Sequence, residues 1–134
     1  MFFNMNFSDK KFFRLAALMG ALTVAIGAFG AHGLKPHLTA YQIEIFEKGV
    51  HYQFVHVLAL LVVAIQLRHT PDNSWLHRAG WFFLAGIVAF SGSLYLLACR
   101  DMIAFPIAWV GPITPLGGLS FIAGWVSLFL SQKA

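Results

Sequence analysis

Gly49-Val50-His51-Tyr52-Gln53-Phe54-Val55-His56-Val57-Leu58-Ala59-Leu60-Leu61-Val62-Val63-Ala64-Ile65-Gln66-Leu67 contains no Asp, Glu, Lys or Arg. It has the length a helix needs to cross a bilayer, roughly 20 residues for roughly 30 Å of hydrocarbon. Three other stretches read the same way, from about Phe12 to Ala31, about Ala79 to Cys99 and about Pro112 to Leu130. The expectation is an all-α fold, a four-transmembrane-helix bundle forming one domain over residues 1–134, with an amphipathic extension before the second span.

Composition points the same way. The chain is 59% hydrophobic and 10% charged, whereas soluble domains carry about 25% charged residues. So much apolar surface has to face lipid or other subunits. A pI near 9.6 raises nucleic acid as a partner, but the basic residues form no patch of the kind that tracks phosphates. Lys10, Lys11, Arg14, Arg68, Arg78, Arg100 and Lys133 sit at span ends instead, and no nucleic acid is expected. The single cysteine, Cys99, has no partner for an intramolecular disulfide, and no CxxC or Cys/His zinc spacing is present. It reads as a small apolar residue at a helix end. Lys10, Lys11 and Arg14 before an apolar run, with Ala28-Phe29-Gly30 at its end, have the outline of a signal peptide. The run is long enough to span and three more follow, so it is expected to be retained.

Charge sets the expected orientation. With four spans, the N-terminus, the loop after the second span and the C-terminus share one side, holding Lys10, Lys11, Arg14, Arg68, Arg78 and Lys133; the other side holds Lys35, Lys48 and Arg100. The positive-inside rule then places both termini in the cytoplasm, in a bacterial inner membrane. Trp75, Trp81 and Trp109 fall near span edges, where such rings settle at headgroup level, and Trp125 and Tyr95 lie deeper, as packing residues. Phe2, Phe3, Met5 and Phe7 have the character of an interfacial segment, and Ser8 is a candidate helix cap lacking the acidic partner of a full capping box.

Moving upstream from the second span, Thr39 and Gln42 have capping-box spacing, and Leu38 with Ile43 fits a hydrophobic staple. Gly33 and Pro36 are expected to stop the first helix. No breaker but Gly49 follows Ala40, so residues 39–48 either extend the second span as one helix or form a short surface helix bending at Gly49. Downstream, Thr70-Pro71-Asp72-Asn73 is a turn signature between antiparallel neighbours. The Phe105-Pro106 and Trp109 loop has the composition to dip into the interface.

Small residues recur at helical spacing. Thr23, Gly27 and Ala31 form one stripe and Ala17, Ala21 and Ala25 another, with Gly20 and Gly30 nearby. Such stripes let backbones approach in lipid, which makes the first span the expected centre of the bundle. Gly117, Ser120, Gly124, Ser127 and Ser131 form a matching stripe in the fourth span, and Ser91, Gly92 and Ser93 a small cluster in the third.

The chemistry-bearing residues gather on the outer side. His32 ends the first span; Glu44, Glu47, His51, Tyr52, Gln53 and His56 precede or open the second. Polar groups at membrane depth face the bundle interior. His51 and His56 are five apart, on different faces, and do not share a metal on one regular helix. Glu47 and His51 are four apart and able to pair, as are Glu44 and Lys48, while Tyr52, Gln53 and His56 share another face. His56 lies deeper and is expected to contact the first or fourth span. His69 and His77 read as solvated loop residues. No HExxH, GxSxG or intramembrane Asp pair is present, so no catalytic residue and no metal is expected.

Gly27-Ala-Phe-Gly-Ala-His-Gly-Leu-Lys35, Tyr52-Gln53-Phe54-Val55-His56-Val57-Leu58-Ala59-Leu60, Ser91-Gly92-Ser93-Leu94-Tyr95 and Thr114-Pro115-Leu116-Gly117-Gly118 resemble, in this order and over nearly the whole chain, the family called domain of unknown function 423. It comprises small bacterial inner-membrane proteins with a eukaryotic relative, transmembrane protein 256. Phe54-Val55 departs slightly from the more polar or aromatic pair of that pattern. The resemblance implies a compact helical membrane protein and no particular reaction.

The functional expectation is a non-enzymatic membrane protein that binds a lipid, a quinone or a partner subunit through its small-residue faces and the cluster of His32, Glu47, His51, Tyr52, Gln53 and His56. An oligomeric transporter or channel and a haem-binding redox subunit are the alternatives. Four short spans need symmetry to enclose a pore, and haem needs two histidines facing each other, His32 with His51 or His56. No resident cofactor is expected; the partners are the bilayer and, beyond it, a second copy or another membrane protein.

Overall fold

The capping box at Thr39 starts the longest element of the fold. In the computed structural model, which describes residues 7–133, Gln42 N donates to Thr39 Oγ1 (3.2 Å) and Thr39 N donates to Gln42 Oε1 (2.9 Å). The helix that follows, α2, is continuous from Ala40 to His69. At 1.5 Å per residue it is about 45 Å long, more than the hydrocarbon requires. Residues 40–48 therefore continue into the second span without a break in the helix. The far end of Gln42 is also tied down, its Nε2 donating to Asp101 Oδ2 at 2.6 Å.

α1 runs Phe7–Phe29. Ser8 lies inside it rather than at its cap. Phe2, Phe3 and Met5 lie outside the described residues, as does the side chain of Phe7. Gly33 does not stop this helix. The chain widens into a π turn at Gly30–Leu34 and tightens into a 3-10 turn at Lys35–His37, and only Leu38 turns extended. Pro36 occupies the first turn of that 3-10 segment, where its missing N–H has no partner to lose.

α3 (Ser74–Gly86) begins at Asn73, whose Oδ1 accepts from Trp75 N and Leu76 N. It passes through a π turn at Ile87–Ser91 into α4 (Gly92–Ala98). Two 3-10 turns, Arg100–Met102 and Ala108–Val110, lead to α5 (Ile113–Leu130). Among the described residues there is no strand, and four helical stretches are long and apolar enough to cross a membrane: Ser8–His37, Ala40–His69, Ser74–Ala98 and Ala108–Leu130.

The helices pack as two pairs, α1 on α2 and α3 on α5, joined by α2 against α3 and α4. The main core forms where the pairs meet, around Phe12, Leu60, Val63, Leu67, Leu76 and Phe83. A smaller cluster of Leu34, Phe46 and Ala98 closes the opposite end.

The first span is not the centre of the bundle. The second is buried over 44% of its most apolar stretch and the first over 17%. The reason lies in where the small residues of α1 point. Gly20, Gly27 and Gly30 all face α2, through Val57, Val50 and the Phe46 ring. Ala17, Ala21 and Ala25 are exposed and face outward. α1 reaches a second neighbour at its start, where Phe12 packs edge-on against Trp81 and fills the space beside Gly80.

Both ends of the described chain lie at the same end of the bundle. Arg68 Nε is 3.7 Å from Asp9 Oδ2, Asn73 Nδ2 donates to the Ser131 carbonyl, and Gln132 Nε2 donates to Gln66 Oε1.

Candidate functional site

On a helix each residue turns 100°, so the polar residues at the start of α2 part into two faces. One face, Glu47 and His51 with Ile43, Phe46, Val50 and Phe54, borders a groove of about 650 Å³ between α1 and α2. The other, Gln42, Gly49, Gln53 and His56, is buried in the bundle. The six residues expected to act together are thus divided. His32 is exposed at the π turn and stands outside the groove lining. Tyr52 lies against the aromatic residues of the second face.

The opposite wall of the groove comes from Thr23, Val24, Gly27, Ala28, Gly30 and Ala31 of α1 and its π turn, and Lys35 and Leu38 close its end. Thr23 adds no free polar group, since its hydroxyl donates to the Met19 carbonyl within its own helix (2.6 Å). The charged and titratable side chains of the lining are Lys35, at its closed end, and Glu47 and His51, one turn apart along the α2 wall. Glu47 and His51 make no ion pair, nor do Glu44 and Lys48; among the described residues the ion pair found is Arg68–Asp9. Lys35 reads from sequence as an orientation charge. Only the fold of the π turn over α2 brings it to the groove.

The buried face is hydrogen-bonded across the bundle. His56 Nδ1 donates to the Tyr52 carbonyl (2.7 Å), and its Nε2 accepts from Trp125 Nε1–H (3.0 Å). A carbonyl only accepts and an indole N–H only donates, so the ring is neutral with its proton on Nδ1. It stacks on Phe121 at 3.5 Å between ring centroids and lies parallel to Tyr52. Its partner is therefore the fourth span, α5. With Nε2 engaged by Trp125, the ring offers no free lone pair to a haem iron or other metal. Among the described residues no group of three His, Cys, Asp or Glu side chains is placed to hold a metal ion.

Further polar bonds tie the helices together. Tyr95 donates to Gln53 Oε1 (2.6 Å) and Ser91 to the Gly49 carbonyl (2.7 Å). Ser93 lies 2.6 Å from Thr114 Oγ1, and Ser120 donates to the Phe82 carbonyl. The α5 stripe faces the third span: Gly117 lies against the Phe90 backbone and Gly124 against the Phe83 ring. The expected cluster at residues 91–93 splits, Ser91 turning to α2 and Ser93 to α5. Gly92 has no neighbour within contact distance of a side chain there. Residues 69 and 77 also differ from each other, because His77 Nε2 donates to the Pro71 carbonyl (2.8 Å) inside the turn.

Sequence comparison adds family membership to this geometry. The profile described as "Protein of unknown function (DUF423)" matches residues 26–118, which include the π turn, most of the groove lining and His56, but neither Phe121 nor Trp125. The chain belongs to the DUF423 family. Its relatives include the UPF0382 membrane protein of Staphylococcus haemolyticus, 44% identical over 91% of this chain and 94% of the relative. UPF0382 membrane protein YwdK of Bacillus subtilis is 39% identical over 91% and 95%, and the Haemophilus influenzae UPF0382 membrane protein is 42% identical over 89% and 90%. No solved structure matches. With its four candidate spans, this DUF423 chain is a multi-pass membrane protein.

Two features of this chain are not legible in its sequence. Trp125 reads as a packing residue, and nothing local to it reveals a hydrogen bond 69 positions away. Asp9 sits beside basic residues, yet it is buried and, among the described residues, neither carboxylate oxygen has a hydrogen-bond partner.

Proposed function

We propose that the protein is a non-enzymatic binding protein of the bacterial cytoplasmic membrane, with both termini in the cytoplasm, that holds one hydrocarbon chain of an outer-leaflet lipid in the α1–α2 groove. The observation that carries this reading is the lining of the groove: largely apolar walls from α1 and α2, with Lys35 at its closed end and Glu47 and His51 along one wall. From Thr23 to Lys35 it follows α1 for about 18 Å at helical rise, close to half of a hydrocarbon core of roughly 30 Å. A chain lying in it keeps its headgroup beside Lys35 and Glu47, with His51 one turn further in. Charge distribution supports the orientation, since six of the nine Lys and Arg residues lie at the end that carries the termini.

The polar side chains support binding over catalysis. Ser91, Ser120 and Ser131 donate to backbone carbonyls, Ser93 is shared with Thr114, and His56 is held by Tyr52 and Trp125. Among the described residues no hydroxyl is paired with a base, which nucleophilic catalysis needs.

Native mass spectrometry of protein released from the membrane tests the proposal. A retained lipid adduct is expected, and Ala28→Trp, which fills the groove from an exposed position, is expected to remove it. An adduct of quinone mass would replace the lipid as occupant. An adduct that survives Ala28→Trp would remove the groove as the site.

A further inference from the structure

Lys35 and Glu47 border the same groove yet neither is ion-paired with the other or with any described residue. Both side chains are exposed, so each charge stands open to an external partner of opposite sign. Here the π turn holds Lys35 on the α1 side of the groove while Glu47 projects from α2, with His51 one helical turn further along the same face. The groove thus presents a cation at its closed end, an anion on the facing α2 wall and an imidazole one turn further in, with apolar side chains making up the rest of the lining.

Resting on the reading of this groove as a lipid site, we propose that it selects a zwitterionic phospholipid whose headgroup carries a primary ammonium, of the phosphoethanolamine class. The ammonium donates to the Glu47 carboxylate, and the phosphate oxygens accept from Lys35 Nζ and from an N–H of His51. The headgroup carries both charges a short chain apart, so each protein charge gains an opposite partner. A purely anionic headgroup satisfies Lys35 but meets repulsion at Glu47, the repulsive element that selectivity requires. A neutral ring satisfies neither charge. A quaternary ammonium has no N–H to give a carboxylate; its recognition needs a cage of aromatic faces.

Full-length protein in nanodiscs of equal phosphatidylethanolamine, phosphatidylglycerol and phosphatidylcholine, released and read by native mass spectrometry, tests this. The wild type is expected to retain phosphatidylethanolamine several-fold over the other two. Glu47→Gln is expected to erase the preference over phosphatidylglycerol while total lipid stays bound, and Glu47→Asp to keep it. Lys35→Gln is expected to weaken retention of both. Glu47 and Lys35 are exposed, and unchanged helical circular dichroism confirms that each variant folds. Equal retention of the three lipids, or a preference that survives Glu47→Gln, overturns the headgroup assignment while leaving the groove in place if Ala28→Trp still removes the adduct. Adducts that persist in Ala28→Trp overturn the groove itself, and the headgroup assignment with it.

Discussion

Trp125 Nε1 donates to His56 Nε2 across 3.0 Å, joining the fourth span to the second inside the bundle. His56 is 4% exposed and stacked on Phe121, so little water is available to replace the indole if it is removed. Trp125→Phe keeps an aromatic ring and deletes the donor. Its expected cost is about 1 kcal/mol, in the range of interhelical bonds in membranes, read as a lower midpoint in thermal unfolding in detergent. Nitrogen-15 spectra of the wild type are expected to show His56 protonated at Nδ1 alone. A ring protonated at Nε2 would contradict the bonding described.

Gly117 and Gly92 make a paired test of small-residue packing. A Cβ on Gly117 would run into the backbone nitrogen of Phe90, whereas one on Gly92 meets nothing. Gly117→Ala is expected to destabilise by about 2 kcal/mol through overpacking. Gly92→Ala is expected to be neutral or slightly stabilising, since alanine is the better helix former by about 1 kcal/mol. Equal effects of the two substitutions on unfolding would show that the third and fourth spans do not approach as described.

Asp9 is 1% exposed, and Arg68, 3.7 Å away, is its one charged partner among the described residues. Arg68→Met leaves a buried carboxylate alone, at an expected cost of about 3 kcal/mol. Asp9→Asn in the Arg68→Met background is expected to recover most of that loss. Absence of recovery would mean that Arg68 acts through its packing on the Phe13 ring rather than through charge.

Asn73 and Ser131 bring the turn after the second span against the end of the fourth. Reporter fusions at the two termini are expected to give the same cytoplasmic reading. A split between them would contradict four crossings. Reversing the balance with added Lys in the 99–110 connection is expected to lower the cytoplasmic fraction.

The spans, the capping box at Thr39 and the turn at Pro71 follow from the sequence by itself, because each depends on local quantities. Apolar length must match the bilayer, Thr39 reaches an amide three residues on, and proline fixes its own backbone. The division of Glu47 and His51 from Gln53 and His56 is also local, since helix pitch alone separates them. What only the tertiary structure decided is which face meets which. In water an apolar stripe marks the buried side of a helix. In lipid the neighbouring helix and the solvent are equally apolar, so periodicity no longer points inward. For that reason the alanines of α1 turn outward although they are spaced for packing, α2 takes the centre, and Lys35 and Trp125 acquire their roles from residues far away in the chain.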